Sequence, residues 1–435
     1  TVEYLEGGSR SQHALVKIVL EKGICCQTKS RADTLSSDFH HISQWVIQTF
    51  RFIGKLQIFE KLLQGCVDMV FLYHIIKSIS YKGNDKNGNS LSLHLKQFIT
   101  MTIKGQATVV KHTGSHYLLS RLPEWNLFPA VLRGKIRLKG STATNPVAVG
   151  DVVNFEAEAD AVEGISLENP AAITSVEQRR NYIIRKSTNL SRQSHIIASN
   201  LDRAFLVITL DFPQVKLPFL DRLLVTCEVY NVPAAIVLNK CDLYGPEHEE
   251  MRAAFHEIYE GAGYPVIEVS ARTGEGVDML RDMVSGRILP DGSRNEDFDA
   301  SRPVVSLFSG VSGVGKSSLI KALDPALEPR VGEISDAHEQ GRHTTTFYEM
   351  YALSTGGFIV DTPGLRGFGL VDLKKEEIAL YFPEMLKASE NCRFAPCTHT
   401  HEPGCAVKEA VEEGEISYDR YSSYLGMLDE EGKYR

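Results

Sequence analysis

Cysteine is scarce, with 8 in 435 residues. That density is too low for a disulfide scaffold. Long apolar runs are missing too. The most apolar N-terminal stretch, residues 67–76, carries Asp68 and His74. It falls well short of the ~20 apolar residues a spanning helix needs. No basic start followed by an apolar core and a small-residue cleavage site is visible. The sequence therefore predicts a cytoplasmic protein with no membrane partner. Excess positive charge is also absent: the net charge is −8, so any nucleic-acid contact has to come from a local basic patch. At 43% apolar and 23% charged residues, collagen, coiled-coil and wholly disordered classes are excluded. The length suits two to four domains of roughly 100–200 residues each.

What is present changes character along the chain. Residues 1–100 carry a net charge of +4 and the remainder −12. The first residue is Thr, while Met101 opens MTIKGQATVV, which reads as a start followed by a strand. Residues 1–100 hold no recognisable chemistry and stay unassigned, as a segment that need not belong to the working protein. Residues 101–178 read as short strands (ATVV, HYLLS, PAVLRGKIRLKG, DVVNFEAE, AAITSVE) between Gly, Asn and Pro turns. Five such strands suggest an OB-fold barrel. In the third, Arg133, Lys135, Arg137 and Lys139 alternate with Gly134, Ile136 and Leu138. Period two puts the four cations on one face. That face is either solvated or suited to phosphate contact. A second basic run, Arg179, Arg180, Arg185, Lys186 and Arg192, points the same way, toward RNA.

Residues 179–370 form the next domain, in which 201–370 alternate apolar strands (RAFLVITL, AAIVLNK, YPVIEVSA, RPVVSLFSG, GFIVDTPG) with helical stretches at 219–230, 247–261, 276–285 and 316–322. The pattern predicts a parallel sheet covered on both faces. Gly310, Val311, Ser312, Gly313, Val314, Gly315, Lys316 and Ser317 spell G-x-x-x-x-G-K-S between a strand and a helix, with Ser318 following. The glycines let backbone N–H groups turn toward phosphate oxygens, Lys316 supplies a point charge, and Ser317 offers a hydroxyl to Mg²⁺. Asp361-Thr-Pro-Gly364 closes another strand. Asp361 is placed to hold the Mg²⁺ shell, and the Gly364 N–H can meet a γ-phosphate. Asn239, Lys240, Cys241 and Asp242 end a third strand, and Ser270 and Ala271 a fourth. The Asp242 carboxylate can accept from the ring N–H and exocyclic amine of guanine, a donor pair that adenine lacks. Lys240 can lie over the base, and the Ser270–Ala271 backbone can reach O6. GTP is thus favoured over ATP. Base-reading loops precede phosphate loops here, the reverse of the ordinary GTPase order, which predicts a circular permutation. Between the phosphate loops, Gly341-Arg-His-Thr-Thr-Thr346 can supply a hydroxyl to Mg²⁺. Thr346 is the candidate, with Thr344 and Thr345 left open.

Residues 371–435 read as short, mostly helical pieces around Cys392, Cys397, His399 and Cys405. Three thiolates and an imidazole suit one tetrahedral, structural Zn²⁺, with His401 a rival ligand.

Together these motifs resemble the ribosome-small-subunit-dependent GTPase A (RsgA) family of circularly permuted GTPases, over about residues 101–430. The RGKIR strand, NKCD, SA, GVSGVGKSS, GRHTTT, DTPG and CRFAPCTHTHEPGCAVK carry the resemblance. It implies a multidomain chain: an OB-fold barrel, a permuted P-loop α/β GTPase domain and a small zinc-knuckle domain. It further implies GTP hydrolysis to GDP stimulated by the small ribosomal subunit, a late role in that subunit's maturation, contact with its rRNA, and action as a monomer. Many GTPases place a water-orienting Gln after DxxG. Leu365 stands there, as is usual for this family, and Asp372 stands where some relatives carry a candidate catalytic His. Either Asp372 or a group on the ribosome would orient the water. The competing reading is an RNA-binding assembly factor that uses GTP as a sensing ligand with negligible turnover.

Overall fold

The structure, a computed structural model, describes residues 102–133, 146–159, 162–186, 194–329, 348–362 and 373–433. The chain divides into two units, Thr1–Phe98 and Ile99–Arg435. All described residues lie in the second.

Five strands form a closed barrel: β1 (Thr102–Thr113), β2 (His116–Ser120), β3 (Phe128–Leu132), β4 (Val152–Glu158) and β5 (Ala171–Val176). β1 pairs with β2 on one side and β4 on the other, while β3 runs parallel to β5. Closure removes both free edges. β1 can serve two neighbours because it is 12 residues long and shifts register between Val109 and Lys111. A bulge of this kind bends a strand. Inward-facing Val109, Leu119, Phe128, Val153, Phe155 and Ile173 fill the interior and are all buried. The Phe128 and Phe155 rings pack 5.0 Å apart. The five-strand barrel read from the sequence is therefore present. The described third strand ends at Leu132, and Lys135, Arg137 and Lys139 lie outside the described residues.

A hairpin follows, β6 (Tyr182–Lys186) with β7 (Ser194–Ser199). The sequence reading missed it and saw only basic residues there. Two of those cations have structural partners. Arg179 donates two bonds of 2.6 Å to the fully buried Asp151. Arg180 pairs with Asp202 at 2.9 Å.

The central sheet contains β8 (Arg203–Ile208), β9 (Ala234–Asn239), β10 (Val266–Val269), β11 (Val305–Ser309), β12 (Glu349–Ala352) and β13 (Phe358–Asp361). Their order is β10-β9-β8-β11-β13-β12. All pairs are parallel except β12 with β13. Every residue of β8 and β11 is buried, as strands covered on both faces require. The helices are α1 (Leu217–Val229), α2 (Glu249–Gly261), α3 (Val277–Ser285) and α4 (Lys316–Leu323). They match the four predicted helical stretches to within two residues. The antiparallel edge strand β12 was not foreseen, because EMYA carries no signal of direction. Through one register pair, Lys111 with Glu349, β12 also joins β1. Barrel and central sheet thus form one continuous set of 11 strands.

The C-terminal unit has α5 (Pro383–Ser389), α6 (Ala406–Glu412) and α7 (Tyr418–Lys433). Phe382, Met385, Val407, Tyr424 and Met427 pack there with Val225 of α1. Among the described residues no helix is long and apolar enough to cross a membrane.

Arg420 of α7 is 1% exposed and fastens this unit to α1. Its guanidinium donates to Asp221 at 2.8 Å and, through two nitrogens, to Glu384 at 2.9 and 3.1 Å. The Phe382 ring lies 4.7 Å away. Removing the cation would strand the buried Asp221 carboxylate, which costs about 3–5 kcal/mol. Arg420→Ala should therefore lower unfolding stability by roughly that amount in chemical denaturation. A loss below about 1 kcal/mol would show a pair of surface strength only.

Candidate nucleotide and metal sites

The carboxyl ends of β8, β9, β10, β11 and β13 lie along one edge of the sheet. The loops that leave them bring together residues far apart in sequence. Residues 310–317 pass from β11 into α4 as a tight loop. Gly310, Gly313 and Gly315 have φ of 157°, 89° and 90°, values that strain any residue with a side chain. A Cβ on Gly310 would stand 2.2 Å from the Val207 carbonyl oxygen, and one on Gly315 2.5 Å from Asn239 Nδ2. The Lys316 ammonium is buried and donates to the carbonyls of Gly310 (2.8 Å) and Val311 (3.2 Å). Burial lowers its pKa, against the attraction of Asp361. Val314 is buried, Val311 and Ser317 are half-buried, and Ser312 and Ser318 are exposed.

Asp361, the last residue of β13, is buried, and its Oδ1 has no hydrogen-bond partner among the described residues. Burial pushes its carboxyl up to about 6, while Lys316 draws it down. A buried carboxylate with an unused oxygen, beside a lysine and a helix N-terminus, suits a Mg²⁺ ion or one of its waters. Next to it, Thr362 Oγ1 donates to the Phe308 carbonyl at 2.9 Å, which ties the strand end to β11.

The third and fourth loops are tied to the first. Asn239, 1% exposed, donates through Nδ2 to the Val314 carbonyl (2.8 Å) and accepts through Oδ1 from the Ala271 N–H (3.2 Å). Lys240, with φ of 67°, donates to the Gly313 carbonyl at 2.8 Å. Its stem therefore lies across the edge of the glycine loop. Ser270 Oγ donates to Asp242 Oδ1 at 2.6 Å and accepts from the Thr273 N–H at 3.1 Å. Asp242 Oδ2 lies 3.8 Å from the Arg272 guanidinium, and the carboxylate keeps lone pairs for another donor. Cys241 opens the short turn Cys241–Leu243, and burial pushes its thiol up to about 12. It is an un-ionised thiol at neutral pH. Tyr244, which the sequence reading did not single out, donates to the Asn239 carbonyl (2.8 Å) and accepts from the Leu210 N–H (3.0 Å). Only its place two residues after Asp242 could have marked it.

Gly364, Thr344, Thr345, Thr346, Leu365 and Asp372 lie outside the described residues. Arg133 is described: it is exposed, and its guanidinium pairs with Glu156 at 2.9 Å, which Lys104 also reaches at 2.7 Å. Lys135, Arg137 and Lys139 lie outside.

In the C-terminal unit the ligand atoms of Cys392, Cys397, His399 and Cys405 all lie within 4.8 Å of one another. Cys392 Sγ is 4.0 Å from Cys405 Sγ and 3.7 Å from His399 Nδ1. His399 Nδ1 is 3.4 Å from Cys405 Sγ. A tetrahedron with metal–sulfur bonds of about 2.3 Å and a metal–nitrogen bond of about 2.0–2.1 Å has edges of roughly 3.5–3.8 Å. The four donors fit one such ion. His401 is exposed and its Nδ1 is engaged by Thr400 Oγ1 at 2.9 Å, so it stands apart from the cluster. Tyr421 and Tyr424 donate to the His399 and Thr398 carbonyls, each at 2.6 Å, and so tie the knuckle to α7.

A glycine-rich loop with a buried lysine, a strand-end Asp and the Asn239–Asp242 and Ser270–Ala271 loops, joined at one sheet edge in permuted order, fit a circularly permuted P-loop GTPase, and the Cys₃His cluster could hold one metal ion. The RsgA GTPase family matches residues 176–290 and 298–371. The chain is 47% identical over 329 residues to the small ribosomal subunit biogenesis GTPase RsgA of Bacteroides fragilis, covering 75% of this chain and 98% of that one. It is 45% identical to the protein of that name from Christiangramia forsetii, over 76% and 98% of the two chains. Among solved structures, YjeQ from Thermotoga maritima is 30% identical with a TM-score of 0.57, over 75% of this chain and 98% of that chain. YloQ, a circularly permuted GTPase, is 27% identical with a TM-score of 0.54, over 77% and 96%. This chain belongs to the RsgA GTPase family, and so to the GTP-hydrolysing enzymes.

The knuckle should carry about one zinc per chain, from its single set of four donors. Cys397→Ser should lower that content by more than half and make α6 and α7 exchange amide hydrogens faster, with GTP affinity little changed. Elemental analysis and hydrogen exchange check both. Full zinc occupancy in the variant would point to other ligands.

Proposed function

We propose that this chain acts in the cytoplasm on the small ribosomal subunit, late in that subunit's maturation, and that contact with the subunit stimulates its GTP hydrolysis. The observation that supports this most is the convergence of permuted loops at one sheet edge, in a chain that covers 98% of the length of proteins named small ribosomal subunit biogenesis GTPase.

In this reading the N–H groups of residues 310–317 surround the β-phosphate, and Lys316 leaves its loop carbonyls for phosphate oxygens. Asp242, aimed by Ser270, accepts from the guanine edge, and the Ala271 N–H region faces O6. Mg²⁺, when bound, would supply positive charge against the charge that develops on the phosphates. Ser317 and Asp361 would hold it or its waters, with Thr346 and Gly364 the switch-side candidates. Asp372 or a group on the ribosome orients the water. Cys392, Cys397, His399 and Cys405 would hold one Zn²⁺ that ties the C-terminal unit together. Arg133, Lys135, Arg137 and Lys139 supply phosphate contacts to rRNA. The protein binds as a monomer.

Steady-state phosphate release by the full chain, with and without purified small subunits, tests the proposal. Stimulation of about tenfold or more is expected, through completion of the site by the partner. Lys316→Ala should abolish it. Tight subunit binding with no stimulated turnover would instead favour an assembly factor that uses GTP only as a sensing ligand.

In the same assay, neutralising Lys135 and Arg137 together should weaken subunit binding. Each lost phosphate contact should flatten the salt dependence by somewhat under one unit of slope. Wild-type affinity and slope in that variant would make these cations a solvated face.

A further inference from the structure

One transverse row of the sheet crosses from the barrel to the nucleotide edge. Lys111 of β1 stands opposite Glu349 of β12, and Glu349 stands opposite Asp361 of β13. Residues directly opposite in antiparallel pairs share a face, with Cβ atoms about 4.5–5.5 Å apart. The row therefore sets two carboxylates side by side, an arrangement that is unfavourable on its own. Each has a cation on its far side. Lys111 Nζ lies 2.5 Å from Glu349 Oε1, and Lys316 attracts Asp361. Lys111 and Glu349 side chains are 21% and 24% exposed, so water screens the pair only in part. Lys111 and Glu349 are also the single register pair between β1 and β12.

We propose that Lys111, a barrel residue, is a positioning residue for the nucleotide site: it holds the Glu349 carboxylate toward the barrel and offsets its charge beside Asp361. Without Lys111, Glu349 adds uncompensated negative charge where the terminal phosphate of a nucleoside triphosphate arrives. The raised pKa of Asp361, to which Glu349 contributes after burial, agrees with that proximity. The consequence is selective. A triphosphate, with its extra charge nearest Asp361, depends on Lys111 more than a diphosphate does. Any partner that draws the barrel strand away from β12 would release Glu349 toward the phosphates and favour the diphosphate form.

The proposal rests on the guanine-nucleotide reading of the site. Equilibrium titration of GTP and GDP, each with Mg²⁺, into the full chain tests it, using Lys111→Met, Glu349→Gln, the double variant and Lys111→Arg. Lys111→Met should lower the ratio of GTP to GDP affinity about fivefold, the size of a partly screened charge pair. Glu349→Gln should raise that ratio. The double variant should return to near the wild-type ratio, and Lys111→Arg should keep it. If both single variants lower the ratio equally and the double variant stays low, the pair is only a clip between strands and the proposal fails. An unchanged ratio in Lys111→Met also overturns it. A wild-type chain that binds neither nucleotide would instead overturn the guanine-nucleotide reading itself.

Discussion

The buried amide of Asn239 is the contact on which the proposed nucleotide site depends. One side chain holds the glycine loop through Val314 and the Ser270–Ala271 loop through the Ala271 N–H. An amide can do this because it carries a donor and an acceptor on one rigid plane. Ala would leave the buried Val314 carbonyl without its partner, at about 1–3 kcal/mol, and would also release the half-buried Ala271 N–H. The close approach of Gly315, where a Cβ would meet Asn239 Nδ2 at 2.5 Å, belongs to the same constraint. The two loops are brought together by side-chain chemistry at the sheet edge, independent of which comes first in the chain. That is how a permuted order can keep a GTPase site intact.

Two further charged contacts extend this edge into the rest of the molecule. Arg420 anchors the C-terminal unit on α1 with a buried cation shared between Asp221 and Glu384. Lys111 joins the barrel to the strand beside Asp361. The first is enclosed and suits a fixed joint. The second is partly open to water and rests on one register pair, which suits a joint that can yield.

Much of this was legible in the residues. The P-loop, DTPG, NKCD and the Cys/His spacing point to their chemistry locally, because each depends on a few residue types at fixed separations, and the fold brings the described members of each set together. The parallel strands showed as unbroken apolar runs, and HYLLS matches its strand residue for residue. Long-range pairing left no such trace. Nothing in EMYA marks β12 as an antiparallel strand bound to β1, so Glu349 went unnoticed beside Asp361. The run of Arg179 and Arg180 looked like an RNA-binding patch, yet their acids, Asp151 and Asp202, are 28 and 22 residues away in the chain. Charge along a sequence shows cations without showing which are already paired. Tyr244 was missed for a similar reason: its role lies in two bonds to backbone groups that only the fold brings near.

The central claim is that the converged loops form a guanine-specific nucleotide site. The most direct test is competition of unlabelled GDP, ADP and XDP against a fluorescent GDP, for the wild type and for Asp242→Asn. The account predicts that GDP displaces the probe at least about 100-fold better than ADP on the wild type, since a site built to hydrogen-bond a base edge rejects analogues that leave its groups unpaired. It also predicts that Asp242→Asn turns the preference toward XDP. Equal displacement by GDP and ADP, or a wild-type preference retained in Asp242→Asn, would contradict it.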